Sequence, residues 1–198
     1  MNIKFPKQFN INVPEKYLVI VNKEFPIPNN YLDSNELVPI NNCDDTTFYM
    51  EKNTAKSFIE LKLFLETKKV YIDVCSAYRT IEEQKELFDA VVVEKGIEHT
   101  EKYVALPRCS EHHTGLAIDL MVFDGVKWID DESSLFERTV LENISKYFHL
   151  YGFILRYPMS KEEKTKINYE PWHIRYVGKD AATVIYNNGN TYCMEDFL

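Results

Sequence analysis

The segment Leu116-Ala-Ile-Asp-Leu-Met-Val122 is apolar at every position except Asp119. Such a run reads as a β-strand. A carboxylate inside it is costly unless it is paired or bound to a cation, so the fold must bring a compensating partner to this strand. Ala117 shares a strand face with Asp119, and its small side chain leaves room beside the acid. A second strand-like segment, Trp172-His-Ile-Arg-Tyr176, poses the same problem by setting His173 between Trp172 and Ile174.

Upstream of Asp119 stands Ser110-Glu-His-His-Thr-Gly115, and upstream of His173 stands Glu170-Pro-Trp. His112, Asp119 and His173 make a set of two imidazoles and one carboxylate, which leaves a coordination position open. An open position distinguishes a catalytic zinc site from a closed structural one. Glu170, brought round by a turn at Pro171, is available as a base for a water activated by the metal. Gly115 and Ala117 permit close backbone approach. His113 is a rival to His112: neighbours in extended chain point opposite ways, so only one can serve, and spacing alone does not choose.

The length of 198 residues fits one domain over residues 17–198, after an irregular lead-in at 1–16. The net charge of −8 argues against a nucleic-acid partner and against docking on anionic membranes. No stretch approaches the roughly 18 apolar residues of a membrane helix, so membrane insertion is not expected, and the chain is expected to be a monomer. The N-terminus lacks an apolar leader core and a small-residue cleavage site, which favours the cytoplasm, with the extracellular cell wall as the other location. Cys43, Cys75, Cys109 and Cys193 contain no C-x-x-C pair. A cysteine metal site is therefore not expected, and reduced thiols fit the missing leader.

Along the chain, Tyr17–Val21 reads as a strand or buried extended segment, and the proline-rich stretch 24–48 as a loop. A helix is predicted over 51–68 from Ala55, Phe58, Ile59 and Leu63, widened by Leu61 and Leu65. Val70–Cys75 reads as a strand. Thr80-Ile-Glu-Glu83 is a capping box opening a helix to about Lys95, with Leu87, Val91 and Val92 on its apolar side and Gly96 ending it. Residues 97–109 read as a loop. Asp124-Gly125 signals a two-residue hairpin returning through 126–129. Helices are predicted over 133–150 and about 179–187, with a strand at 153–157. This order predicts an α+β fold: a central, mostly antiparallel sheet flanked by helices, with the metal site in a cleft.

The motif Ser110-x-His112-x-x-Gly115-x-Ala117-x-Asp119, with Glu170-x-Trp172-His173 about fifty residues on, resembles the VanY-type zinc D-alanyl-D-alanine carboxypeptidases. Ser76-x-Tyr78-Arg79 with Gln84 resembles that family's third motif, and the likeness spans roughly residues 17–198. The resemblance implies a hedgehog and lysostaphin-like peptidase fold. It implies one Zn2+ held by His112, Asp119 and His173, with His113 a non-ligand. It makes Glu170 the catalytic base, and Arg79 is placed to stabilise the oxyanion. Ser110 and Gln84 are implied to hold the substrate carboxylate, and Tyr78 and Trp172, with Arg156, are candidates to line the cleft. The implied substrate is a peptidoglycan stem peptide or muropeptide ending in D-Ala-D-Ala. L,D-carboxypeptidase, D,D-dipeptidase and endopeptidase activities share the same residues. A non-haem iron oxygenase uses the same donor types, but usually with one residue between the first His and the carboxylate, where six intervene here. A non-catalytic wall-binding domain would not need Glu170 together with Arg79.

Overall fold

Period-two alternation along the apolar segments builds the sheet. The structure is a computed structural model describing residues 1–9, 11–130, 134–187 and 192–198. β1 (Leu37–Asn41) and β2 (Thr47–Glu51) form an antiparallel hairpin that leads into α1 (Lys52–Glu66). β3 (Ile72–Ser76) follows, then α2 (Ile81–Lys95) and α3 (Ile97–Tyr103). β4 (Ala117–Phe123) and β5 (Trp128–Ile129) precede α4 (Leu135–Ile144), β6 (Phe153–Tyr157) and α5 (Glu162–Thr165). β7 (Glu170–Tyr176) and α6 (Lys179–Asn187) complete the set. The main sheet runs β3-β4-β7-β6, with β5 paired to the far end of β4, and every pairing is antiparallel. The α+β architecture is the one the sequence predicts.

On β4 and β7, Ile118, Leu120, Val122, Ile174 and Tyr176 enter the main core with Phe58, Leu61 and Leu65 of α1 and Leu141 and Ile144 of α4. Each such side chain contributes about 1.5–3 kcal/mol when fully buried. The alternate positions Ala117, Asp119, His173 and Arg175 occupy the opposite face, which carries the site. A second cluster joins Ile3, Leu18 and Ile20 to Ile154, to Ala181 and Ile185 of α6, and to Met194 and Phe197 of the C-terminal 3-10 turn.

Several local expectations are corrected. Of the two forms expected for Tyr17–Val21, the buried segment holds and the strand does not: Glu15–Leu18 is a 3-10 turn after Pro14, and the extended Val19 makes a single bridge to Asn2. The Arg175 guanidinium, rather than a neighbouring strand, donates to the carbonyls of Tyr17 and Val19, at 3.1 and 2.8 Å. The supposed loop 24–48 contains β1 and the start of β2. Pro39, opposite Tyr49, is tolerated because both strands of a two-stranded sheet are edges. α3 occupies part of the expected loop 97–109. In α1, Ile59 and Leu63 face solvent, 48% and 58% exposed, while Thr54, Ser57, Leu61 and Leu65 join Ala55 and Phe58 inside. The helix expected from 133 is α4 followed by a 3-10 stretch, Ser145–Tyr151, closed by Gly152 at φ 82°; residue 133 lies outside the described residues. The hairpin signalled by Asp124-Gly125 is present, and its closing bond, from the Asp124 N–H to the Lys127 carbonyl at 3.1 Å, sets the two tip residues one position on, at Gly125-Val126.

Candidate metal centre

Cross-strand register brings two of the donors together. Asp119 of β4 pairs directly with His173 of β7, so both side chains leave the same face. In a regular strand residues three apart point to opposite faces, which would separate Glu170 from His173. The ladder prevents this: between the Leu155–Ile174 and Tyr157–Glu170 pairs, β6 has one residue and β7 has three. This bulge at Pro171-Trp172-His173 returns Glu170 to the site face, with Oε2 3.8 Å from His173 Nδ1.

The third donor comes from a 3-10 turn, Glu111–Thr114, capped by the Ser110 hydroxyl, which accepts from the His112 N–H at 3.3 Å. Gly115 ends the turn at φ 70°. A Cβ there would lie 2.7 Å from Leu37 Cδ2 and 3.1 Å from the Glu51 nitrogen, so the turn is seated against the β1–β2 hairpin by a residue without a side chain. The His112/His113 ambiguity is resolved by hydrogen bonding. His113 uses both ring nitrogens on backbone, Nδ1 to the Arg79 carbonyl at 2.7 Å and Nε2 from the Arg108 N–H at 3.1 Å. His112 Nδ1 donates to the Ala77 carbonyl at 2.6 Å. Its Nε2 lone pair is thereby turned to Asp119 Oδ2, 3.1 Å away.

His112, Asp119 and His173 each offer one ligand atom, all within 4.8 Å of one another. A lone pair facing a carboxylate in a buried pocket calls for a cation between them. Asp119 Oδ1 lies 3.0 Å from His173 Nδ1, yet it is buried with no aligned hydrogen-bond partner among the described residues. The donor set therefore fits a metal ion. In its absence, burial pushes the His112 pKa down, while the histidines hold Asp119 well below the carboxylate range despite its burial. Burial lowers the His173 pKa, but the neighbouring carboxylates of Asp119 and Glu111 outweigh it and raise it to about 9.

The donors sit in a cleft of about 280 Å3 that also includes Glu170, Arg79, Gln84, Ser110 and Trp172. Arg79 is fixed from two sides, donating to Gln84 Oε1 at 2.8 Å and to Ser76 Oγ at 2.7 Å. Gln84 in turn donates to the Ala105 carbonyl at 2.7 Å. The Thr80 capping box that starts α2 is present and places both residues. Leu87 and Val91, read as the core side of α2, instead line the cleft; Gln84 and Phe88 are the residues α2 buries. Tyr78 is not brought into this cleft. It lines a neighbouring cavity with Ile27, Tyr31 and His113, because its backbone N–H is tied to Tyr49 of β2. Arg156 is also elsewhere, fully buried against the Glu111 carboxylate.

Glu111 escaped the sequence reading. It is wholly buried, and Arg156 and Arg175 hold its carboxylate below the usual range against the cost of burial. Its partners, Arg156 and Arg175, lie 45 and 64 residues away in sequence. The only local signal is an acid inside a motif whose other residues face inward.

Two histidines, a carboxylate and a nearby glutamate in a cleft of an antiparallel α+β sheet define the metallopeptidase class of site. Residues 47–179 match the family model of VanY, described as D-alanyl-D-alanine carboxypeptidase, and the chain belongs to this family of zinc metallopeptidases. It is 36% identical to the bifunctional D-Ala-D-Ala dipeptidase and D-Ala-D-Ala carboxypeptidase VanXYC of Enterococcus gallinarum, over 85% of this chain and 87% of that protein. Among solved structures it is similar to a vancomycin-resistance D,D-pentapeptidase VanY in complex with Zn(II). There the identity is 33%, the TM-score 0.75, and the match covers 92% of this chain and 99% of the other. It is also similar to the LD-carboxypeptidase LdcB, at 34% identity and TM-score 0.77 over 91% of this chain and 85% of the other.

Proposed function

We propose that His112 through Nε2, Asp119, and His173 through Nδ1 hold one Zn2+, and that the protein removes the terminal D-Ala from peptidoglycan stem peptides ending in D-Ala-D-Ala. The observation that carries this reading is the convergence of three donor atoms within 4.8 Å in a cleft shared with Glu170 and Arg79. Zinc bound there supplies Lewis acidity and lowers the pKa of a water toward about 7. Glu170 takes the proton of the attacking water and returns it to the leaving amine. Arg79, fixed by Gln84 and Ser76, donates to the oxyanion that develops on the scissile carbonyl. Ser110 and Gln84 serve the substrate carboxylate, Ser110 by its O–H and Gln84 chiefly by holding Arg79. Trp172 lines the cleft that receives the substrate.

The test is D-Ala release from a D-Ala-D-Ala-terminated pentapeptide by zinc-loaded protein, with Glu170→Ala as control. Release by wild type and a loss of several orders of magnitude in the variant is the expected result. No release, or equal rates, would sink the proposal. The likeness to an LD-carboxypeptidase supports one second reading, cleavage of an L,D bond. A tetrapeptide ending in a single D-Ala, assayed in parallel, separates the two by which substrate turns over.

A further inference from the structure

Behind His173, on the side away from Asp119, buried charges run to the last turn of the chain. Glu111 Oε1 accepts from Arg156 Nε at 2.7 Å and from Arg175 Nη1 at 2.6 Å. Among the described residues Oε2 has no hydrogen-bond partner; it faces His173 Nε2 at 3.9 Å, and that nitrogen has none among them either. The rest of Arg156 is taken by Glu195, with Nη1 to Oε2 at 2.8 Å and Nη2 to Oε1 at 2.7 Å. Glu195 belongs to the 3-10 turn Met194–Phe197 and also accepts from Asn22 Nδ2 at 3.1 Å.

We propose that Glu111 is a positioning residue for the metal, acting through His173, and that Glu195 sets Glu111 through Arg156, so that the C-terminal turn completes the metal site. A metal-ligating histidine keeps the right tautomer when its second nitrogen donates to a fixed acceptor. With Nε2–H directed at Glu111, the Nδ1 lone pair is directed at the donor cluster. Closing 3.9 Å to hydrogen-bond length takes about 1 Å of movement. A buried carboxylate can play this part only while its own charge is matched. Arg175 is anchored independently by the carbonyls of Tyr17 and Val19. Arg156 has its bidentate anchor in Glu195, which makes that residue the far end of the relay.

This inference rests on the metal-site reading above, and its test distinguishes the two. Zinc dissociation constants are measured by competition with a chromogenic chelator, and urea midpoints are recorded on the same samples. The proteins are wild type, Glu111→Gln, Glu195→Gln and Asp73→Asn. Asp73, on β3, pairs with Lys62 and touches none of these groups, so its variant reports general softening. Expected are one tight zinc in wild type, affinity about 10–100-fold weaker in Glu111→Gln, a smaller loss in Glu195→Gln, and no change in Asp73→Asn. Wild-type affinity in Glu195→Gln, or an equal fall in Asp73→Asn, overturns the relay while leaving the metal site standing. A wild type that binds no zinc overturns both. Should Glu111→Gln not fold, Glu195→Gln decides alone.

Discussion

Adjacent histidines in one turn do different work because their second nitrogens meet different partners. His112 is oriented by the Ala77 carbonyl, while His113 staples the Arg79 carbonyl to the Arg108 N–H. Arg79 is thus held at its backbone by His113 and at its guanidinium by Gln84 and Ser76. Its planar fork suits this two-sided grip, which a lysine cannot reproduce. Arg79→Lys is expected to lower kcat by about 10²–10³, with zinc stoichiometry unchanged, as steady-state kinetics and metal analysis on one sample will show. Donors such as Asp119 and His173 were legible in the sequence because each is a polar residue in an apolar strand, a conflict visible locally. The choice between His112 and His113 was not, since it depends on carbonyls more than thirty positions away. Tyr78 was misplaced for a related reason: its neighbour Arg79 faces the cleft, but the tie to Tyr49 sends Tyr78 to the other side.

At the scale of elements, irregularities make the site. The β7 bulge gathers Glu170 and His173 onto one face, and the capped 3-10 turn presents His112. The sequence showed the strands through their alternation, but a two-residue excess in β7 has no signature of its own beyond Pro171. The β1–β2 hairpin was hidden by Pro39, and α3 by a short segment with few apolar residues. That hairpin is why Gly115 has no Cβ. Gly115→Ala forces a left-handed φ on alanine and a clash with Leu37 and Glu51, and should cost on the order of 1–3 kcal/mol by urea denaturation. The C-terminal turn responds to acid. Burial opposes ionisation of Asp196, but its pairs with Lys164 and Lys161 hold its pKa below the ordinary carboxylate value. Glu195 is shifted the same way by Arg156. Both therefore stabilise the fold fully above pH about 4, and this contribution is lost as pH falls through the depressed folded values. Melting temperature should drop on the acid side of about pH 4, and Asp196→Asn should flatten that drop while leaving the profile at pH 6–8 parallel to wild type.

For the molecule as a whole, the three donors join parts that are distant in sequence. His112 rides on the turn seated against the β1–β2 hairpin, Asp119 on β4 and His173 on β7, with Glu111 linking back to the N-terminal segment and the C-terminal turn. Without a cation, the carboxylates of Asp119, Glu170 and Glu111 crowd around His173 in a chain already at net charge −8. A ligand that binds only the folded state stabilises it by mass action, about 2.7 kcal/mol at a free concentration 100 times its Kd. For chains of 150–250 residues each kcal/mol raises Tm by about 2–4 °C, so saturating zinc should add roughly 5–11 °C. Calorimetry of wild type with zinc and with excess chelator measures this shift. His173→Ala should melt at one temperature under both conditions, since a strand that has lost its donor can no longer couple the metal to the fold. A shift of full size in that variant would place the stabilising zinc somewhere other than between β4 and β7.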